Sequence, residues 1–358
     1  MTTRADPALG KPSGTPAQAL GAVLLQHPLL RPAAALTLLL VLDAMLLPGF
    51  FRLEIKDGHL YGALVDILNR VAPLMLAALG MTLVIATRGI DISVGAVVAL
   101  SGAVAATLIG GTMVIHEGVP AYVANTPMGV ALAAAIGVAL LCGLWNGVLV
   151  AAIRLQPIVA TLILMVAGRG LAQLITDGQI VTVYYQPYFF LGSGYLLGLP
   201  FSLYVVAALF TLTLLLVKKT ALGLFIQAVG INPVAARLAG LRTATLIVLV
   251  YVFCSACAGM AGLLITSNIK SADANNAGLL LELDAILAVT LGGTSLAGGR
   301  FSLAGSMIGA LIIQTLTYTI YSLGVPPEVN MVVKAIVVFV VCISQSSEFR
   351  QLLKKRTA

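Results

Sequence analysis

Residues 87–106 read TRGIDISVGAVVALSGAVAA. From Val94 onward the stretch has the composition of a membrane-spanning helix: Val, Ala, Leu and Gly with one Ser, without a charge. Ahead of it stand Arg88 and Asp91, with Gly89 between them and Gly95 close behind. A charged, glycine-loosened turn between two lipid-soluble stretches has two readings. One is a helix break, whose exposed backbone groups are satisfied by protein or cavity water. The other is a plain short inner turn with an N-cap; in the break reading, over Gly89 to Gly95, Asp91 and Ser93 cap the helix that follows. Both leave Arg88 on the cytoplasmic side, and only the first lets Asp91 touch a ligand.

The rest of the chain fixes the class. Of 358 residues, 60% are hydrophobic and 9% charged, with a mean hydropathy of +1.06. Soluble domains carry about 25% charge, so this chain cannot cover a water-facing surface and belongs in a bilayer. The reading is all-α, a polytopic integral membrane protein. At roughly 20 apolar residues per crossing, ten spans are expected, near 32–50, 70–87, 92–112, 128–152, 157–176, 198–217, 244–266, 285–299, 302–322 and 329–346. The eighth is short and glycine-rich, which suggests a re-entrant or broken helix. Residues 1–31 read as a flexible cytoplasmic tail without a signal peptide's compact apolar core and cleavage site, 32–346 as the membrane domain, and 347–358 as a basic cytoplasmic tail.

With ten crossings and the N-terminus inside, 14 of the 20 Lys and Arg fall on the cytoplasmic side. Only Arg52, Lys56, Arg70 and Lys270 fall outside, while Arg169 and Lys334 lie within spans. The positive-inside rule therefore places both ends in the cytoplasm. The net charge of +7 is mostly this signal and calls for no nucleic-acid partner.

Several chemistries are absent. Cys142, Cys254, Cys257 and Cys342 all sit in expected spans, and the three histidines in loops. The Cys254–Cys257 pair lacks the further ligands a zinc site needs and reads as small packing residues on a helix. The segment GGTSLAGGRFS (292–302) lacks the Gly-Lys-Ser/Thr ending of a phosphate-binding loop. No cofactor, metal or catalytic constellation is expected, and the chain reads as a transport subunit rather than an enzyme.

The large inner loop, 218–243, contains NPVAARLAG. Asn232 suits an N-cap and Pro233 the first helical position, and Gly240 a C-terminal stop. A helix near 233–239 follows, too short to persist alone. Its small residues Ala235, Ala236 and Ala239 suit close approach by a cytoplasmic partner.

The two halves carry matching features in one order. Asp91, the Gly143/Gly147 pair, Pro157 and Arg169 in the first half answer to Asp284, Gly305/Gly309, Pro326-Pro327 and Lys334 in the second. Duplicated halves with broken helices are typical of transporters, whose sites lie where the halves meet. Intramembrane charge costs about 2.5–3.5 kcal/mol per residue on insertion scales. Asp91, Arg169, Lys334 and Asp43 must therefore be paired, wetted or near an interface. Candidates for the pathway are Asp91, Ser93, Asn146, Arg169, Asp284 and Gln314.

The segments TLVIATRGIDISVGAVVALSG (82–102), GLWNGVLVAAIRLQPIVATLILMVAGRGLAQLI (143–175), QAVGINPVAARLAG (227–240) and ELDAILAVTLGGTSLAGGRF (282–301) resemble the permease subunits of bacterial ABC-type sugar importers, the ribose-type group. The stretches GRGLAQLITDGQIVT and ADANNAGLLLELDAILAV resemble most the galactofuranose branch. The resemblance implies a location in the bacterial inner membrane and a monosaccharide cargo, galactofuranose first. It also implies three protein partners: a cytoplasmic ABC ATPase, a periplasmic sugar-binding protein and a second permease copy or paralogue. Gly230, Asn232, Pro233, Ala235, Ala236, Arg237 and Gly240 would then form the segment coupling the permease to the ATPase. The alternatives are an ion-coupled secondary transporter, a passive channel, or an ABC permease for ribose or branched-chain amino acids.

Overall fold

The computed structural model describes residues 29–56, 58–116 and 119–326, and beyond them 329, 331–333, 335, 336 and 339. Nearly all of the two expected tails and most of the tenth span, with Lys334, lie outside the described residues.

Twelve helices carry the described chain. They are α1 (Leu30–Leu46), α2 (Ala63–Ala86), α3 (Val94–Ile109), α4 (Met128–Ala151), α5 (Pro157–Ile175), α6 (Gln186–Ser193), α7 (Phe201–Lys219), α8 (Leu222–Ile231), α9 (Pro233–Leu238), α10 (Thr243–Ile269), α11 (Leu281–Leu291) and α12 (Leu303–Ser322). Proline starts α5 and α9 at the position where its missing N–H costs nothing. Ser302 caps α12 by accepting from Gly305 N at 3.1 Å. Short antiparallel hairpins, Glu54–Lys56 with His59–Tyr61 and Thr112–His116 with Val119–Val123, join α1 to α2 and α3 to α4 at one end of the bundle. A further pair, Val181–Thr182 with Ser271–Ala272, ties the ends of α5 and α10 together there.

Among the described residues six helices (α2, α4, α5, α7, α10 and α12) are long and apolar enough to cross a membrane. α1 and α3 have 17 and 16 residues. The eighth expected span is short, as its glycines suggest, but its bounds shift: α11 ends at Leu291 rather than near 299, giving it a length of roughly 16 Å, about half a hydrocarbon core. The glycines after it form turns instead of helix. The second span starts earlier than expected, because Asp66, Asn69 and Arg70 already belong to α2.

In lipid there is no hydrophobic drive between helices, so close packing of small residues must hold them together. The antiparallel pair α2 and α10 forms the centre. A Cβ on Gly80 would lie 2.7 Å from Cys254 Cα, so the buried cysteine packs tightly against α2. The sequence pair Gly143/Gly147 lets α4 rest on α10, since side chains there would meet Val252 Cα and Val248 Cα at 2.6 and 2.8 Å. Gly305 and Gly309 do the same for α12 on α11, over the backbone of Gly292 and Ala288. The packing repeats with inverted sense: α2 answers to α10, α3 to α11 and α4 to α12. Thus α3 and α4 pack on α10 as α11 and α12 pack on α2.

Two identical substitutions on α4 test this packing. Gly143→Leu drives a side chain into the α10 backbone, whereas Gly137 has nothing within 4 Å of an added Cβ. Overpacking costs about 1–3 kcal/mol or more. Thermal melts of the detergent-purified permease should show G143L clearly destabilised and G137L close to the parent.

Candidate functional site

Both central helices end in breaks. After α2 the chain leaves helical geometry at Thr87 and resumes at Val94. After α10 it passes through residues 270–280 before α11 begins. The two segments bring the starts of α3 and α11 into direct contact. A Cβ on Gly278, itself at φ +65°, would lie 2.7 Å from Gly95 O. One on Gly95 would strike Gly278 O and the carboxylate of Glu282. Only glycine fits at either position.

Beside this crossing lies the first polar cluster. Asp91 Oδ1 accepts from Ser93 N at 3.0 Å and Ser93 Oγ at 2.6 Å. Asn146, from α4, donates through Nδ2 to Ser93 Oγ at 2.8 Å and to Asp91 Oδ1 at 3.4 Å. All three are fully buried. Thr161 of α5 braces the segment, accepting from Ile92 N at 3.2 Å and reaching Ile90 O at 3.4 Å. The segment is thus a true break held by protein groups, as a polar backbone inside a membrane protein must be. The expected capping by Ser93 is corrected. Ser93 precedes α3 but its hydroxyl is spent on Asp91, and its side chain makes no capping bond to that helix. Among the described residues Asp91 Oδ2, Asn146 Oδ1 and Glu282 Oε2 accept no hydrogen bond.

The second cluster holds the other break. Arg169 Nη1 donates to the carbonyls of Ala274, Asn275 and Ala277 at 3.1, 3.4 and 2.6 Å. One turn on, Gln173 Nε2 donates to Asn275 Oδ1 at 2.7 Å. The mid-helix arginine therefore satisfies carbonyls that no helix supplies with donors. At the start of the loop, the Asn276 side chain and the N–H groups of Asn275 and Asn276 hold the Asp273 carboxyl below the usual carboxylate range.

The remaining candidates fall apart from these clusters. Gln314 is half-buried on α12. Asp284 stands half-buried in the first turn of α11, while Glu282, missed in the sequence, is the acid against Gly95. Asp43 is buried and accepts from Thr319 Oγ1 at 2.6 Å.

At the opposite end from the hairpins, α9 forms as its sequence specifies. Asn232 Oδ1 accepts from Val234 N and Ala235 N, both at 3.0 Å, and Gly240 ends the helix at φ +88°. Ala236 is only 5% exposed and Gly230 is buried, so neither offers an outward surface. Asn232, Ala235, Arg237 and Gly240 do, while Pro233 is half-buried. The outward surface is more apolar than expected, because Ile231, Val234 and Leu238 are 62%, 67% and 85% exposed. Their spacing of three and four residues is the sequence signal that could have found them.

Replacing Asn146 by Leu leaves Asp91 and Ser93 buried without its amide. Loss of a buried partner costs about 1–3 kcal/mol, so N146L should melt distinctly below the parent permease, whereas Q314L, outside the cluster, should change little.

The chain matches the family model described as "Branched-chain amino acid transport system / permease component" over residues 63–342. It is 52% identical over 320 residues to the galactofuranose transporter permease protein YtfT of Escherichia coli K12, covering 89% of this chain and 90% of that one. It is 40% identical to the fructose import permease protein FruF of Bifidobacterium longum (83% and 81% covered) and 37% identical to the ribose import permease protein RbsC of E. coli K12 (85% and 89% covered). No solved structure gives a match. With its packed apolar helices, inverted breaks and family model spanning most of its length, this chain belongs to that family of transport permeases and is a membrane transport subunit, not an enzyme.

Proposed function

We propose that the chain forms the translocation pathway of an ATP-driven monosaccharide importer of the bacterial inner membrane, with galactofuranose as its first cargo. The observation that carries the reading is the 52% identity, over 89% of the chain, to a permease named for galactofuranose transport. The family description names branched-chain amino acids, whereas the relatives above are named for sugars. A zwitterionic cargo calls for both charge signs in its site. Here the groups at the Asp91 break are a carboxylate, a hydroxyl and an amide, and nearby Arg169 is turned to loop carbonyls. The acceptors Asp91 Oδ2 and Asn146 Oδ1 suit the hydroxyl donors of a sugar. The pathway then runs past the Gly95–Gly278 crossing, with Asp91, Ser93 and Asn146 on one side and Arg169 holding the other break.

The end bearing α8 and α9 also bears Arg88, Arg154, Lys218, Lys219, Arg237, Arg242 and Arg300, which supports a cytoplasmic position for it and for both termini. There Ile231, Val234 and Leu238 make an exposed apolar stripe among basic residues, the kind of surface that marks a protein partner. The proposed partner is the cytoplasmic ABC ATPase. A periplasmic sugar-binding protein delivers cargo at the hairpin end, and a second permease copy or paralogue completes the pathway.

Leu238→Arg tests the docking reading without disturbing the core, as Ala236→Arg would. In cells carrying the permease, its ATPase and its binding protein, L238R should lose ATPase co-purification and reduce labelled galactofuranose uptake at least about tenfold, the effect of roughly 1.4 kcal/mol. Intact assembly and uptake would refute α9 as the docking site. Parallel uptake of galactose and ribose ranks the cargo, and a preference for ribose would overturn the galactofuranose assignment.

A further inference from the structure

Three loops meet backbone to backbone at the α9 end. They are the α2–α3 break, the α8–α9 corner and the turn between α11 and α12. Gly299 N donates to Ala86 O at 2.9 Å. A side chain on Gly230 would collide with both Ala86 O and Gly299 N, and one on Gly298 with the stem of Arg88. At this point the Arg88 guanidinium crosses from one loop to another. Its Nη2 donates at 2.5 Å to the carbonyl of Ile231, the last residue of α8. That carbonyl is one a helix end leaves without an internal donor. It also immediately precedes Asn232, which starts α9.

Arg88 holds an unusual backbone position. It occupies the left-handed region at φ +65°, after the end of α2, where glycine is the usual residue. A bulky side chain there needs a reason outside the backbone, and the contact with Ile231 supplies one. Two residues on, Ile90 O is held by Thr161. Three residues on, Asp91 enters the buried cluster with Ser93 and Asn146. Arg88 is therefore the side chain joining the proposed docking corner to the break that starts α3.

Resting on the importer reading above, we infer that Arg88 is the positioning residue that transmits displacement of the α8–α9 corner to the Asp91 break. Through it, movement driven by the ATPase opens or closes the crossing at Gly95 and Gly278. The rigid geometry supports this, since Gly230, Gly298 and Gly299 leave no slack between the three backbones. A moved corner carries Ile231 O and the arginine with it.

The test is the complete transporter in proteoliposomes with ATPase and binding protein, measuring sugar moved per ATP hydrolysed. Arg88→Gly keeps the left-handed backbone at no steric cost and deletes the guanidinium link together with the stem against Gly298. The inference expects R88G to hydrolyse ATP but move at least about fivefold less sugar per ATP, and R88K, with one ammonium donor, to fall between R88G and the parent. An unchanged ratio in R88G, whatever the absolute rates, would make Arg88 a mere turn residue and overturn the inference. If R88G does not assemble, R88M, which keeps the stem against Gly298 without a donor, is compared with R88K, and equal ratios overturn it in the same way. A parent protein whose uptake ignores ATP hydrolysis would instead sink the importer reading.

Discussion

Two polypeptide backbones touch at Gly95 and Gly278, and the architecture is arranged around that contact. Neither position tolerates a Cβ, so the starts of α3 and α11 meet with nothing between them. Such a meeting leaves backbone polar groups exposed inside the bundle, where water is scarce and an unsatisfied group is expensive. The chain answers with side chains from neighbouring helices. Thr161 meets the backbone of the first break and Arg169 that of the second, while Asn146 and Gln173 hold side chains of the same two segments. The intramembrane arginine that looks anomalous in the sequence thus satisfies the carbonyls of an unwound segment.

The same logic explains the helices around the crossing. α2 and α10 can lie side by side only because Gly80 admits Cys254, and α4 and α12 close in through their own glycine pairs. Inverted correspondence of α2–α4 with α10–α12 makes the two breaks equivalent in position. Their means of support differ: a carboxylate–hydroxyl–amide cluster on one side, a guanidinium and a carboxamide on the other. A junction built from two unwound segments can shift without melting a whole helix. That suits a pathway that must open toward each side of a membrane in turn.

How much of this the sequence discloses depends on the range of the interaction. Local signals were legible: Asn232-Pro233 and Gly240 bound α9 as expected, and the glycine pairs mark helix contacts. The break at 87–93 was legible as one of two readings, but its hydrogen bonds were not, because Asn146 and Thr161 arrive from helices far along the chain. Helix roll was also hidden. Glu282 and Asp284 are two residues apart, hence roughly 200° apart around α11, and only packing decides which one faces Gly95. Ala236 turns inward for the same reason, since six residues are too few for an apolar stripe to declare its face. The short α11 was foreshadowed by its glycines, and the chain leaves it where Gly293 takes φ +87°, just past the close approach of Gly292 to Gly305.

The central claim is that this crossing serves an ATP-driven sugar pathway. Its most direct test is galactofuranose uptake into proteoliposomes holding the permease, its binding protein and either an active or a hydrolysis-dead ATPase. The account predicts accumulation with the active ATPase and none above leak with the dead one. Equal uptake with both, especially uptake that follows an imposed ion gradient, would contradict it and identify an ion-coupled transporter instead.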